Sequence, residues 1–434
     1  MKMMKRMAAA LLAAVLTVSS GVQGFTDRNM VYAAEEEENI PEGYTAIYDI
    51  ADLYAIRNDL SGSYILMNDI DMTADTSEGG DYDCGTGWDS IEQFSGVLDG
   101  NGHRIIGMHI FGNLIPDSFD EIQTGLFVSL YNATIENIGL VDCSIDVTLN
   151  NEDIHIDIGG ITGNCDDSII RNCYSEGKIR VKGQGGLINV GGLVGNGSTY
   201  SSNQIENCYN ACDIDCSETK IREGNTGHLG GIYGCNQTIV NVSQSYNIGN
   251  ISGNEQFNMG AICGYASSKN PHKNPYKNCQ YLKGTAFSGT GNQNDNSDSV
   301  PLTENQMKNA KLFTGYDFTD TWEIDPYCSY PYPQLKNNRM IRVKSVNLTT
   351  APAKLVYNQG ETLSISDSVL EIEYEDGIKT SIPLSLEMLD GYDMMQIGTQ
   401  TVNVTYGGVK TSFQIEVKEI PVSSITIPET LSIY

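Results

Sequence analysis

A phrase that recurs five times constrains this chain more than anything else in it. A glycine-rich turn enters an apolar pair at Gly125-Leu126-Phe127-Val128, Gly160-Ile161-Thr162-Gly163, Gly192-Leu193-Val194-Gly195, Gly231-Ile232-Tyr233-Gly234 and Ala261-Ile262-Cys263-Gly264. An apolar-x-amide element follows each time. Its amide falls at Asn137, Asn172, Asn207, Gln244 and Asn278, at intervals of 35, 35, 37 and 34 residues. A fixed period of this length means one supersecondary unit stacked on copies of itself. Within residues 120–285 aliphatic and β-branched residues alternate with polar ones, so the unit is built of strands. Such a stack is first a surface and only in some cases an active site. The amides read as an inward ladder at coil corners, bonding to each other and to backbone groups left unpaired by the bend.

The start of the chain reads as an export signal. Lys2, Lys5 and Arg6 precede the apolar run Met7 to Leu16, and Val31-Tyr32-Ala33-Ala34 offers a cleavage site before the acidic stretch at Glu35. The run is too short to span a bilayer, and no membrane insertion is expected of the mature chain. With 26 basic against 55 acidic residues the formal net charge is −29. That field repels nucleic acid and anionic lipid, which excludes them as partners. Eleven cysteines are many for an exported chain. Cys173, Cys208 and Cys279 share one place in the period, with Ser245 between them, and read as stacked reduced thiols in a core. A few disulfides stay open. Cys208, Cys212 and Cys216 lack a matching pair elsewhere, which argues against zinc.

Along the chain, residues 1–34 read as the signal peptide and 35–42 as an acidic leader. Leu53, Ile56 and Leu60 have helical spacing behind Asp49 or Asp52, which suits a lid over the first coil. Ser63 to Met67 reads as a strand, and Phe94 to Ile106 as strand, Gly/Asn turn, strand. Polar loops at 146–157, 182–190, 215–228 and 252–258 vary in length, as loops leaving one face of a stacked coil do. Thr303-Glu304-Asn305-Gln306 resembles a capping box before a short helix to Phe313, expected to cover the far end. Trp322 and Tyr330-Pro331-Tyr332-Pro333 close the repeat domain, which spans 43–338. Residues 341–419 change to short β-runs with turns at Asp376-Gly377 and Gly407-Gly408, reading as a small β-sandwich. Residues 420–434 begin a further module that the sequence does not complete.

The phrase Gly192 to Gly195 is similar to the motif of the GLUG-motif family of exported bacterial proteins. Tyr64-Ile65-Leu66-Met67-Asn68-Asp69-Ile70-Asp71, Phe94-Ser95-Gly96, Asp99-Gly100-Asn101-Gly102-His103, and Trp322 with Tyr330-Pro331-Tyr332 resemble that family's flanking signatures. Val128 and Ala261 depart from the motif at the first and last copies. Tyr374-Glu375-Asp376-Gly377 and the run from Ile397 to Gly408 resemble a bacterial Ig-like domain. The resemblances imply an all-β chain, a right-handed parallel β-helix followed by an Ig-like β-sandwich acting as a stalk. They imply a secreted or cell-surface, adhesin-like protein, or a segment attached to an IgA-protease-type metallopeptidase. No activity belongs to the motif itself.

Catalytic chemistry finds little support in the residues. The five histidines, His103, His109, His155, His228 and His272, include no pair four apart, so H-E-x-x-H is absent, and there is no G-x-S-x-G elbow. A carbohydrate-active site would need two carboxylates across a cleft. Asp99 is the leading candidate, with Asp142, Asp166 and Asp167 as partners from later coils, although Asp-Gly-Asn-Gly is also an ordinary turn. Asp69 to Asp83 is acidic enough to suggest calcium but lacks the loop glycine and the closing glutamate. Tyr174, Tyr209 and Tyr246 recur beside the amides and would stack sugars if exposed. The expectation is a non-enzymatic, ligand-binding surface protein with no catalytic, cofactor or metal residues. Its partner would be a host or cell-surface glycan or protein. The alternatives are a β-helix polysaccharide lyase or glycoside hydrolase, or an accessory segment of a surface metallopeptidase.

Overall fold

The computed structural model describes residues 40–116, 120–197, 202–237, 239–267, 276–292 and 299–420. The segments read as signal peptide and most of that read as acidic leader, together with His272 and residues 421–434, lie outside them. The described residues belong to one compact unit beginning at Ile40.

Period-two alternation becomes a β-solenoid of about six turns, with four parallel sheets as its faces. The first face begins with Tyr44–Ile47, which pairs with Ser63–Leu66. It continues through Val97–Asp99, Thr134–Glu136, Ile169–Arg171, Ser202–Glu206, Ile239–Ser243 and Tyr276–Lys277. Leu98, Ile135, Ile170, Ile205 and Val242 stand directly above one another and are fully buried. Each such side chain contributes about 1.5–3 kcal/mol by leaving water. Asp49 caps the helix Ile50–Tyr54 by accepting from the Ala51 and Asp52 amides, and Leu53 and Ile56 close the first coil. The expected lid is therefore present, behind a strand that sequence reading missed.

Two readings are corrected. The segments taken as loops at 146–157 and 182–190 are largely strand. Gly139–Asn150 and Tyr174–Gly185 pair along the second face, and His155–Gly159 and Leu187–Gly191 pair along the third. The inward Val147 and Leu149 were masked by the polar outward Asp146 and Thr148. The corner amides are half-buried rather than inward, and their common property is a left-handed backbone: φ is 54° at Asn137, 53° at Asn172, 52° at Asn207, 44° at Gln244 and 54° at Asn278. Asn tolerates that conformation better than other side chains. Asn172 donates to Asn137 at 3.0 Å, and Asn137 to Asp99 at 3.0 Å. The inward polar ladder is a different one. Asn210 donates to Asn247 at 2.7 Å, and both are fully buried on the second face.

The chain then doubles back. Glu304–Met307 forms the capping-box helix after the terminal strand Ser299–Leu302, and Phe313 beyond it packs edge-on against Tyr246. Trp322–Ile324 pairs antiparallel with Pro333–Leu335, and this strap runs down the second face toward the first coils. Trp322 Nε1 donates to Asn207 Oδ1 at 3.2 Å, and Asn338 Nδ2 to the Asn172 carbonyl at 3.4 Å. The Tyr174 hydroxyl donates to the Arg339 carbonyl at 3.2 Å. Arg342 reaches Asp69 and the Gly102 carbonyl.

The Ig-like sandwich thus begins beside the first coils. Its three-stranded sheet comprises Val343–Thr350, Val369–Tyr374 and Lys379–Pro383. Its four-stranded sheet comprises Val356–Asn358, Val409–Lys418, Gly398–Tyr406 and Leu389–Asp390. Tyr374 and Tyr406 both donate to the buried Asp325 of the strap, at 2.8 and 3.0 Å.

Candidate functional site

The recurring glycine phrase makes the corner between the third and fourth faces, and its last glycine sets the shape outside that corner. A Cβ on Gly195 would lie 2.6 Å from the Ile158 amide nitrogen and 2.6 Å from the Gly163 carbonyl oxygen. Only glycine lets the fourth-face backbone rest against the third-face backbone so closely. Side chains that face away from the core on the two faces thereby meet outside that corner.

The third face contributes a column of Gln123, Asp157, Asn189, His228 and Asn258. The fourth contributes Ser129, Asn164, Asn196, Cys235 and Tyr265. The two columns touch. Asn196 Nδ2 donates to Asp157 Oδ2 at 3.1 Å, and Asn189 Nδ2 to Asp157 Oδ1 at 2.8 Å. The His228 and Tyr265 rings lie 4.8 Å apart. Asn189 is 1% exposed, and both its Oδ1 and that of Asn196 are buried without a hydrogen-bond partner. Beside Gln123 lies a depression of about 520 Å³ lined by Trp88, Asp89, Ser90, Thr124 and Val128, with the exposed Ile115 among its lining.

Burial pushes the Asp157 carboxyl up to about 7, a rise that Glu121 reinforces and the two amide donors oppose. Burial pushes His228 down to about 4, so its imidazole is neutral at neutral pH. Because the Asp157 carboxyl binds its proton more tightly folded than unfolded, its own contribution to stability is full at about pH 4 and below and is lost as pH rises through 7. His228, neutral in the fold, weakens the fold in the opposite direction as pH falls below about 6.5. Asp157→Asn is expected to remove the decline toward high pH and to stabilise the protein by about 2 kcal/mol at pH 8. Urea denaturation of both proteins from pH 4 to 8 checks it; parallel pH profiles would refute it.

The candidates read from sequence do not assemble. Asp99 accepts from the Asn101 amide at 2.8 Å and from Asn137, the behaviour of a turn residue at the first-face corner. Asp142 lies in an irregularity of the second-face strand, and Asp167 accepts from the Ser202 amide at 2.7 Å at a different corner. Asp166 accepts from Asn164 at 2.9 Å. In the acidic segment Asp71 and Asp83 bond local amides, while Asp69 pairs with Arg104. Among the described residues no group of three or more His, Cys, Asp or Glu is placed to hold a metal.

The tyrosine expectation is corrected. Tyr174, Tyr209 and Tyr246 stack at 4.7 and 5.0 Å and are fully buried beneath the strap, where no sugar can reach them. All eleven cysteines are free thiols, ten of them buried. His103 faces Asp69, His109 faces Thr76 and His155 is exposed. Asp157 was missed because it was read as loop. The alternation Ile154, Ile156, Ile158 could have revealed its strand.

A region of 202 residues is 33% identical to halomucin of Haloquadratum walsbyi, which covers 43% of this chain and spans about 2% of that protein's length. A domain of a surface protein solved in solution is similar at 22% identity and a TM-score of 0.14, over 20% of this chain and 98% of that one. Residues 350–417 match the bacterial Ig-like domain family (group 3) and, folded as the sandwich described above, form a domain of that family.

Proposed function

We propose that this is an exported, cell-surface, adhesin-like protein that binds a glycan or protein ligand on the outer surface of its solenoid and performs no catalysis. The observation that carries this reading is that no two carboxylates face each other at this corner. Asp157 is the one carboxylate in the two columns and is held by Asn189 and Asn196, while Asp166, two residues beyond Asn164, is held by Asn164. Glu121 stands a rung earlier on the same face, not across from it. Hydrolysis of a glycosidic bond needs two carboxylates facing each other over the sugar.

Five titratable groups do converge elsewhere, Asp69, His103, Arg104, Arg342 and Glu375. They are committed to one another at the junction with the Ig-like domain. The Ig-like domain and the likeness to halomucin support an extracellular setting. No described helix is long and apolar enough to cross a membrane. The formal charge of −29 opposes nucleic acid as a partner.

The rival reading is a carbohydrate-active enzyme, which the near-neutral Asp157 carboxyl favours, since perturbed groups in clefts are frequent catalysts. A glycan and matrix-protein array run beside reducing-sugar release from polysaccharides separates the two. Capture without sugar release is the expected result. Release that disappears in Asp157→Asn or Asp99→Ala would overturn the non-enzymatic reading.

A further inference from the structure

One place in the solenoid period breaks its own rule. Arg104, Gly139, Tyr174, Tyr209, Tyr246 and Gln280 stand in register along the second face. Two residues beyond each of them come Ile106, Val141, Glu176, Ala211, Ile248 and Leu282. Five of these are apolar, and Val141, Ala211, Ile248 and Leu282 pack against the hydrophobic cluster under the strap. Glu176 alone sets a carboxylate in that row, a placement that costs stability unless the charge finds a partner.

The fold supplies half of one. Glu176 Oε2 accepts from the Asp142 amide at 2.8 Å. On its own strand Arg180 is taken by Asp215 and Glu218, and Lys182 by Asp146. The exposed Lys178 stands beside Asp213 in register. Burial raises the Glu176 carboxyl, and the charges of Asp142 and Asp213 add to the rise against the Asp142 amide bond.

Glu176 also lines a cavity of about 410 Å³ between the second face and the strap. Val141, Ala211 and Ile248 wall it on one side, and Met340 and Ile341 on the other. The exposed Asp142 and Ser329 are part of the same lining, so solvent reaches it. The strap bonds the hydroxyls of Tyr174 and Tyr246 but leaves that of Tyr209, between them, without a partner.

Apolar walls around one carboxylate suit an alkyl ammonium, whose methylenes meet the walls while its charge meets the acid. A guanidinium gains most from two free carboxylate oxygens, and one here is already engaged. An amino sugar carries its ammonium on a hydroxylated ring and brings no apolar stem. A divalent ion needs several oxygen ligands, and no such group is assembled among the described residues.

We infer that this cavity takes a lysine side chain presented by a protein ligand, its stem against Val141, Ala211 and Met340 and its ammonium on Glu176. This rests on the ligand-binding reading above and narrows it to a protein with an exposed lysine. The net charge of −29 draws such a partner in.

Isothermal titration of the full chain with oligolysine tests it, at about 150 mM salt so that exposed charges are largely screened. Binding is expected, and it should vanish when the ε-amines of the peptide are acetylated. Glu176→Gln should weaken it about tenfold, the effect of losing one charge-assisted hydrogen bond. Glu206→Gln, exposed on the first face, removes the same formal charge and should leave binding unchanged. Ala211→Leu keeps every charge but narrows the cavity, and should weaken binding as well. Urea denaturation checks that each variant folds. Equal loss in Glu176→Gln and Glu206→Gln, or full binding by both cavity variants, would overturn the inference. Capture in the glycan and matrix-protein array that Glu176→Gln leaves intact sinks the lysine site while the binding reading stands. If neither oligolysine nor the array captures the protein, both fall.

Discussion

Gly195→Val is expected to prevent the solenoid from folding. The new Cβ would meet backbone on both sides, the Ile158 nitrogen and the Gly163 oxygen, each at 2.6 Å. Side chains can turn away from an intruder, but backbone held in a stack of parallel strands cannot. Overpacking a core ordinarily costs about 1–3 kcal/mol. With no flexible neighbour to yield, a loss of at least about 4 kcal/mol is expected. Because each rung is stabilised by its neighbours, damage at the middle of the stack spreads to both halves. Gly224→Ala supplies the contrast. Gly224 has φ +90° and open space around it, so the cost there is the local strain alone, about 1 kcal/mol. Far-UV circular dichroism and urea midpoints of the two variants decide the matter. A Gly195→Val protein that unfolds at the wild-type midpoint would refute the close approach of the two faces.

Asp69→Ala is expected to cost about 3–5 kcal/mol and to uncouple the Ig-like domain from the solenoid. Asp69 accepts from the Arg104 guanidinium at 2.7 Å and from Arg342 at 2.8 Å, and it also holds the Arg104 backbone amide at 2.9 Å. Arg104 is largely buried and reaches on to Glu375 at 2.9 Å and the Met340 carbonyl at 3.2 Å. Removing the central carboxylate leaves two guanidinium charges crowded at a half-buried junction. Burial by itself would raise the Asp69 carboxyl, but hydrogen bonds from His103 and Arg104 and the charge of Arg342 outweigh it and hold it well below the usual carboxylate range. A carboxyl held low in the fold contributes stability that is complete above its unfolded value of about 4 and is lost as pH falls below it. The wild type should therefore lose this coupling only in strong acid, whereas the variant lacks it throughout. Two separate transitions in urea at pH 7, in place of one, are the expected signature. A single transition at the wild-type midpoint would sink the proposal that this cluster joins the two parts.

The solenoid was legible because its constraint is local and repeated. Leu98, Ile135, Ile170, Ile205 and Val242 stack because each sits at the same place in a period of strand-forming residues, and any one copy predicts the next. The corner amides were legible as a column, but their reason was not. A left-handed φ is a property of the bend, and an asparagine that satisfies a bend looks in sequence like one that satisfies a core. The strand ends from Asp146 to Asn150 and from Lys182 to Gly185 were read as loop because polar and charged residues dominate their composition. The inward Val147 and Leu149 keep the strand period of Ile145 before them.

By itself, the sequence determined the repeat, its strand character, the capped first coil and the change to a second β-domain near residue 341. All four follow from spacing and from the conformations that Gly, Asn and β-branched residues favour. Three things were decided only in the tertiary structure. The strap returns along the second face, since nothing local in Trp322 or Tyr330 specifies that they cover Tyr209 and Tyr246, which lie far earlier in the chain. The ion cluster forms because that return brings Arg342 and Glu375 to Asp69 and Arg104. The close approach of the third and fourth faces exists because glycine's missing side chain matters only once a second backbone approaches it, and a sequence does not show which backbone that is.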